Sequence, residues 1–213
     1  MTGTDCRKHI HRVVYVILNN GLMSIDNSMV DDKTKRLSRE DWIRGALELL
    51  ITNGVEGVKI VPLAERLGIT SGSFYWHFKT RRELHEALLE YWEREMTDAA
   101  MVAAKEFDGL PEERIWGLME QVMSAGFARY DLAIWHWAQS DVAAQAVFQR
   151  ALEKRFNFSK WMFMEAGFDA IQAEARGRMM VVYMMGESTL IPDAPGKRKK
   201  LLRVKYEILI NAV

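Results

Sequence analysis

Ser71, Ser73, Tyr75, Trp76 and His77 stand within seven consecutive residues, and Lys79, Arg81 and Arg82 follow at once. Hydroxyls, a phenol, an indole N–H and an imidazole are all hydrogen-bond donors. Beside three cations, they suit a partner that is anionic and carries readable polar edges. Duplex DNA has both, with phosphate oxygens that position a protein and base edges that specify sequence. Aromatic rings can also pack on a thymine methyl or a sugar. The same residues could coat an ordinary helical protein, so the reading depends on what holds them.

The flanking residues predict a helix-turn-helix. Ser38-Arg39-Glu40-Asp41 has the form of an N-cap with an acid three residues on. Ile43, Ala46, Leu47, Leu49 and Leu50 follow as an apolar face at helical spacing, and Asn53-Gly54 stops it. Pro62 suits the first turn of a second helix, in which Leu63, Ala64 and Leu67 face inward before Gly68 turns the chain. A third helix is expected from about Ser71 to Phe78, capped by Thr70 or Ser71. Phe74 and Phe78 are four apart and are assigned to its core face. Ser71, Ser73, Tyr75, Trp76 and His77 are left for other faces. Thr80 and Glu83 form a second capping box opening a fourth, longer helix through Leu84, Leu88, Tyr91 and Trp92. Such a helix can link the basic module to the rest of the chain.

Charge sharpens the division. The 213 residues sum to zero, but Lys33 to Arg82 hold ten Lys/Arg against five Asp/Glu, a local balance of +5. The remainder from Glu83 onward is mildly acidic, at −4. A basic head on an acidic body fits electrostatic docking on DNA.

The body reads as helix after helix. Only four prolines and no sustained two-residue alternation predict an all-α fold without a sheet. Helices are placed near 112–129, 131–140, 142–166, 169–190 and 197–211, with breaks at Tyr130-Asp131, Ser140-Asp141, Gly167 and residues 191–196. Residues 1–32 fit the rest poorly. They form a weakly ordered extension, or sequence upstream of a start at Met23 or Met29. The single Cys6 excludes an internal disulfide and fits a reducing compartment. No apolar run is long enough for a signal peptide or a membrane span, so a soluble cytoplasmic protein without membrane contact is expected. The five histidines, His9, His11, His77, His85 and His136, show no metalloprotease spacing. There is no phosphate loop, dinucleotide fingerprint or nucleophile elbow. No catalytic residue, metal site or cofactor is expected, and the chain is not read as an enzyme.

From Leu37 to Leu84 the sequence resembles the DNA-binding domain of TetR/AcrR-type transcriptional regulators. The resemblance rests on Gly54, on Ala64-Glu65-Arg66-Leu67-Gly68-Ile69, and on Phe74-Tyr75-Trp76-His77-Phe78 followed by Leu84. It departs where the family commonly has a lysine three residues past that last Phe. Here Arg81 stands there, with Lys79 nearby, and the main phosphate contact is left open between them. The resemblance implies an N-terminal three-helix DNA-binding domain over 33–82 and a helical ligand-binding and dimerisation domain over 83–213. It implies a homodimer on double-stranded, palindromic operator DNA, released when a small-molecule effector re-angles the two heads. The residues expected at DNA are Thr70, Ser71, Ser73, Tyr75, Trp76, His77, Lys79 and Arg81.

Met and aromatic residues crowd the body. Such stripes usually form core, yet Met also lines adaptable binding surfaces. Trp116, Met119, Met123, Phe127, Trp135, Met162, Phe163, Met180 and Tyr183 are the candidates for a pocket taking a hydrophobic effector. The last two long helices, at about 169–190 and 197–211, are the expected dimer contact. Ala173, Gly177 and Gly186 would allow close approach, and Leu201, Val204 or Lys205, and Ile208 form a seam. A competing reading keeps the helical fold but makes the chain a ligand-binding or interaction protein with only non-specific DNA affinity.

Overall fold

Ser38 starts the first helix as its sequence requires. Its hydroxyl accepts from Asp41 N–H at 3.2 Å, and Asp41 Oδ2 accepts from Ser38 N–H at 2.8 Å. The computed structural model describes residues 37–191 and 194–211, so the extension expected over 1–32 lies outside the described residues. Those residues form an all-α fold, with no strand among them.

Helix α1 spans Arg39–Gly57 and buries Trp42, Ile43, Ala46, Leu47, Leu49 and Leu50. Gly54 breaks its regularity with φ +66°, a conformation that glycine adopts freely. Helix α2, Ile60–Arg66, is pinned by Leu63 and Ala64. It ends in a Schellman closure at Gly68. Ile69 N–H reaches Ala64 O at 3.0 Å and Gly68 N–H reaches Glu65 O at 3.1 Å.

The helix expected from Ser71 to Phe78 is shorter and tighter: a 3-10 helix over Ser71–Trp76. Ser71, Gly72 and Ser73 are poor formers of α-helix, since serine side chains compete for backbone groups. Here Ser73 Oγ donates to Thr70 O at 2.6 Å. No Thr70 side-chain cap forms. Phe74 and Phe78 are both buried, as their spacing predicts. Their rings stack at 5.3 Å, and Phe74 meets Trp42 edge-on at 5.4 Å.

Helix α3, Arg81–Glu93, opens at Thr80, whose hydroxyl accepts from Glu83 N–H at 3.1 Å. The reciprocal arm lands one residue early, for Glu83 Oε2 accepts from Lys79 N–H, not from Thr80. Past Glu93 the helix does not stop. Its turns widen over Arg94–Asp98, where Ala99 N–H reaches back to Arg94 O, and it resumes as α4, Ala99–Lys105. Widened turns of this kind are rare and frequently mark functional sites.

The body adds α5 (Pro111–Ala125), α6 (Ala128–Ala138), α7 (Val142–Glu165), α8 (Ala170–Leu190) and α9 (Pro195–Ile210). The break expected at Tyr130-Asp131 is not there. The chain turns at Gly126 instead, in the left-handed conformation, and Tyr130 and Asp131 lie buried inside α6. A polar pair looks like a loop in sequence. Inside the fold, partners on other helices satisfy both side chains. Asp141, by contrast, caps α7 by accepting from Ala144 N–H at 2.8 Å.

Among the described residues, two apolar clusters form the core. The first joins α1, α2, the 3-10 helix and α3 to α6 and the start of α7, so the head's core continues into the body. The second joins α4, α5, the end of α7, α8 and α9. Gly177 serves within the chain. A Cβ there would lie 3.0 Å from the backbone N of Lys160, so glycine lets α8 close on α7, with buried Ala173 nearby. Gly177 and Ala173 are therefore not available as a close contact between copies. No helix among the described residues is long and apolar enough to cross a membrane.

Candidate nucleic-acid interface and the cavity behind it

The buried aromatic pins decide what the 3-10 helix presents. With Phe74 held against Trp42 and Phe78 stacked on Phe74, the intervening Tyr75 and Trp76 are turned outward, 63% and 81% exposed. Thr70, Gly72 and Lys79 are exposed beside them, and Ser71, Ser73 and His77 are half-buried at the edge. Lys59 and Arg66, exposed on α2, extend the basic border. The sequence-predicted row is thus exposed or half-buried along one short stretch, and one member departs from it.

Arg81 turns inward. Its Nη2 donates to Val55 O at 3.3 Å and lies 3.6 Å from Glu56, at the broken end of α1. Its Nε lies 3.3 Å from His85 Nε2, which is also 3.3 Å from Val58 O. The ring of His85 meets Trp137 of α6 edge-on at 5.2 Å. Burial holds the His85 imidazole below its ordinary pKa, with a further push from the Arg81 charge and opposition from the Val58 carbonyl.

Gly72 is informative by elimination. Its φ is not in the left-handed region, and a Cβ built there meets no heavy atom within 4 Å. Neither backbone strain nor internal packing calls for glycine. The exposed row has bare backbone at that point.

A polar link ties this head to the body. Tyr130 Oη of α6 donates to Glu48 Oε1 of α1 at 2.5 Å, and Arg129 Nη2 donates to the same phenol oxygen at 2.6 Å. Burial and the Glu48 carboxylate push the Tyr130 phenol well above its ordinary pKa. Further along, Glu93 of α3 is gripped by Arg150 and Lys154 of α7, and those hydrogen bonds hold its carboxyl below the usual range.

Behind the widened turn lies a cavity of about 40 Å³. Five methionines line it: Met96, Met101, Met180, Met184 and Met185. Phe127 and Phe158 add rings, and Thr97, Asp131 and Arg155 form a polar corner. Of the nine pocket candidates, only Phe127 and Met180 reach this cavity. Met119, Met162 and Phe163 are fully buried packing, and Met123 is buried as well. Trp116 rests edge-on against Tyr206, Tyr183 lies under Lys205, and Trp135 is exposed. The stripe of large side chains did not distinguish filled core from hollow core. The polar corner was missed altogether, because its members stand on three elements far apart in sequence. Among the described residues no group of acids, histidines and cysteines could hold a metal.

Residues 43–88 match the sequence profile described as bacterial regulatory proteins, tetR family. Over 55 residues the chain is 53% identical to tetracycline repressor protein class C of Escherichia coli, covering 26% of this chain and 25% of that protein. This stretch of the chain is a tetR-family segment. The match to these curated relatives spans only about a quarter of their length. Beyond the head, the family likeness is one of fold. A TetR transcriptional regulator from Legionella pneumophila superposes with a TM-score of 0.66 at 13% identity, over 83% of this chain and 97% of that one. AibR, solved in complex with isovaleryl coenzyme A and operator DNA, superposes at 0.64 with 14% identity, over 81% and 97%. The all-helical arrangement of an N-terminal helix-turn-helix on a helical body is a fold shared with these solved regulators.

Proposed function

We propose that this chain is a DNA-binding transcriptional regulator, a repressor that works as a homodimer on a palindromic operator and lets go when a small apolar effector enters the body. The observation that carries the reading is the outward row of Tyr75 and Trp76 on a short helix pinned by Phe74 and Phe78, with Thr70 and Lys79 exposed at its two ends. Residues 33–82 act as the reading head and 83–213 as the regulatory body. In the major groove, Ser71, Ser73, Tyr75, Trp76 and His77 meet base edges and sugar-phosphate, while the preceding helix crosses the backbone. Arg81 is engaged inside the head, so Lys79 takes the phosphate contact that the family's lysine would make.

A second copy is needed to place two heads about 34–36 Å, or a multiple, apart. The outward faces of α8 and α9 support one, with Ile171, Met179, Val182, Leu190, Val204 and Ile208 all exposed. An apolar strip on two adjacent helices marks an interaction surface. The relatives' names and the operator complex of AibR agree with this reading.

Selection from a pool of random duplexes tests it. Enrichment of one inverted repeat, bound at least about 10³-fold tighter than random duplex at physiological salt, is expected. Equal affinity for all duplexes would favour a helical ligand-binding or interaction protein with non-specific DNA adhesion.

A further inference from the structure

The polar corner of the cavity defines what kind of molecule can enter. Asp131 is 2% exposed and the Arg155 side chain 14%, and they pair at 2.8 Å through Oδ2 and Nη1 and at 3.1 Å through Oδ1 and Nη2. Among the described residues, the other side chains lining the cavity carry no charge. One cation and one anion therefore already cancel. A ligand with a full charge of either sign would leave that charge uncompensated in a largely apolar enclosure, which is strongly disfavoured.

The hydrogen bonds say what remains open. Arg155 Nε–H donates to Thr97 Oγ1 at 2.9 Å, and Nη2 reaches Met96 O at 3.4 Å besides its carboxylate partner. Asp131 Oδ1 takes Arg155 and also the indole N–H of Trp92 at 3.0 Å. A guanidinium has five N–H groups and each carboxylate oxygen about two acceptor directions. These bonds leave one N–H on Nη1 and one acceptor direction on Oδ2, on neighbouring atoms. A single hydroxyl, which both donates and accepts, satisfies both.

We infer that the cavity takes a small neutral molecule with an apolar, preferably aromatic, body and one hydroxyl-type group held between Arg155 and Asp131. This rests on reading the cavity as the effector site. Methionine sulfur packs favourably on aromatic rings, and the unbranched side chain re-forms around irregular shapes. Small walls of this kind can admit a ring larger than the present space. The corner is also bonded to the helix that carries the head. Trp92 ends α3, and Met96 and Thr97 lie in its widened turn, so a hydroxyl inserted between Arg155 and Asp131 bears on that turn.

The test uses three probes of one size and different charge: benzyl alcohol, benzoate and benzylammonium. The full chain carries carbon-13 methionine methyls, and shifts of Met180 and Met184 are titrated without DNA. Benzyl alcohol is expected to shift them saturably and to bind at least roughly ten-fold tighter than either ion. Asp131→Asn leaves Arg155 as an unbalanced cation and should reverse the preference in favour of benzoate. Benzoate or benzylammonium binding the native chain as tightly as the alcohol would overturn the inference, as would saturable shifts with none of the three. Should Asp131→Asn fail to fold, the comparison on the native chain still decides. Since no DNA is present, these outcomes stand apart from whether the head binds an operator.

Discussion

The head and the body use the same helical construction and place their polar chemistry oppositely. The head turns Tyr75, Trp76 and Lys79 outward within five residues of sequence. The body turns Asp131 and Arg155 inward from two helices, against Trp92 and Thr97 of a third. In the head, packing residues serve only to hold the surface still. In the body, the packing itself contains the polar feature. Substitutions should therefore separate cleanly: head changes should cost binding without stability, and corner changes should cost stability first.

The largest effect is expected at Arg155→Leu. It strands the Asp131 carboxylate in the core, and breaking a buried pair this way costs about 3–5 kcal/mol. Urea denaturation measures it, and a loss below about 1 kcal/mol would mean the pair behaves as an exposed one, not as the buried pair described. Next is Tyr75→Ala, which should weaken operator binding by about 1–3 kcal/mol while leaving the thermal midpoint in place. Tyr130→Phe tests the joint between the regions. It removes the phenol that Glu48 accepts from and should lower stability by about 1 kcal/mol in the same denaturation experiment.

Gly72→Ala is a smaller and more discriminating change. With open space and an ordinary φ, alanine should raise stability by roughly 0.5–1 kcal/mol. Operator affinity should nonetheless fall, because the added methyl stands on the reading surface. If affinity and stability rise together, that surface does not approach DNA at Gly72.

The smallest effect is a pH dependence at the joint. His85 is held below its ordinary value of 6.5, so the unfolded chain takes up the proton first on acidification. The stability it lends is fully present above about pH 6.5 and is lost as pH falls from there toward the lowered folded value. His85→Gln should flatten that part of the stability profile.

This contrast also explains what the sequence made readable. The capping box at Ser38, the Thr80 half of the second box, the glycine turn at Gly68 and the four-residue spacing of Phe74 and Phe78 are local relations, and each appears in the fold as expected. Local relations could not report that Arg81 turns back to Val55 O, because its partners lie on α1, twenty-five and twenty-six residues earlier. They misplaced a helix break at Tyr130-Asp131, since the partners Glu48, Trp92 and Arg155 satisfy those side chains only after folding. The pocket suffered most. A methionine facing a cavity and a methionine filling a core share one sequence signature, so Met180 lines the hollow while Met119 and Met162 pack solid. What could have hinted at the corner was a charged pair, Asp131 and Arg155, inside otherwise apolar helix faces.

Everything proposed for the head depends on the pinned row at Tyr75 to Lys79 reading DNA. The most direct measurement is fluorescence anisotropy of the selected operator duplex with the native chain and with Tyr75→Ala/Lys79→Ala, beside thermal melts of both. The expected result is operator binding reduced to the level of random duplex with an unchanged melting midpoint. Native operator affinity in the double variant would contradict the claim.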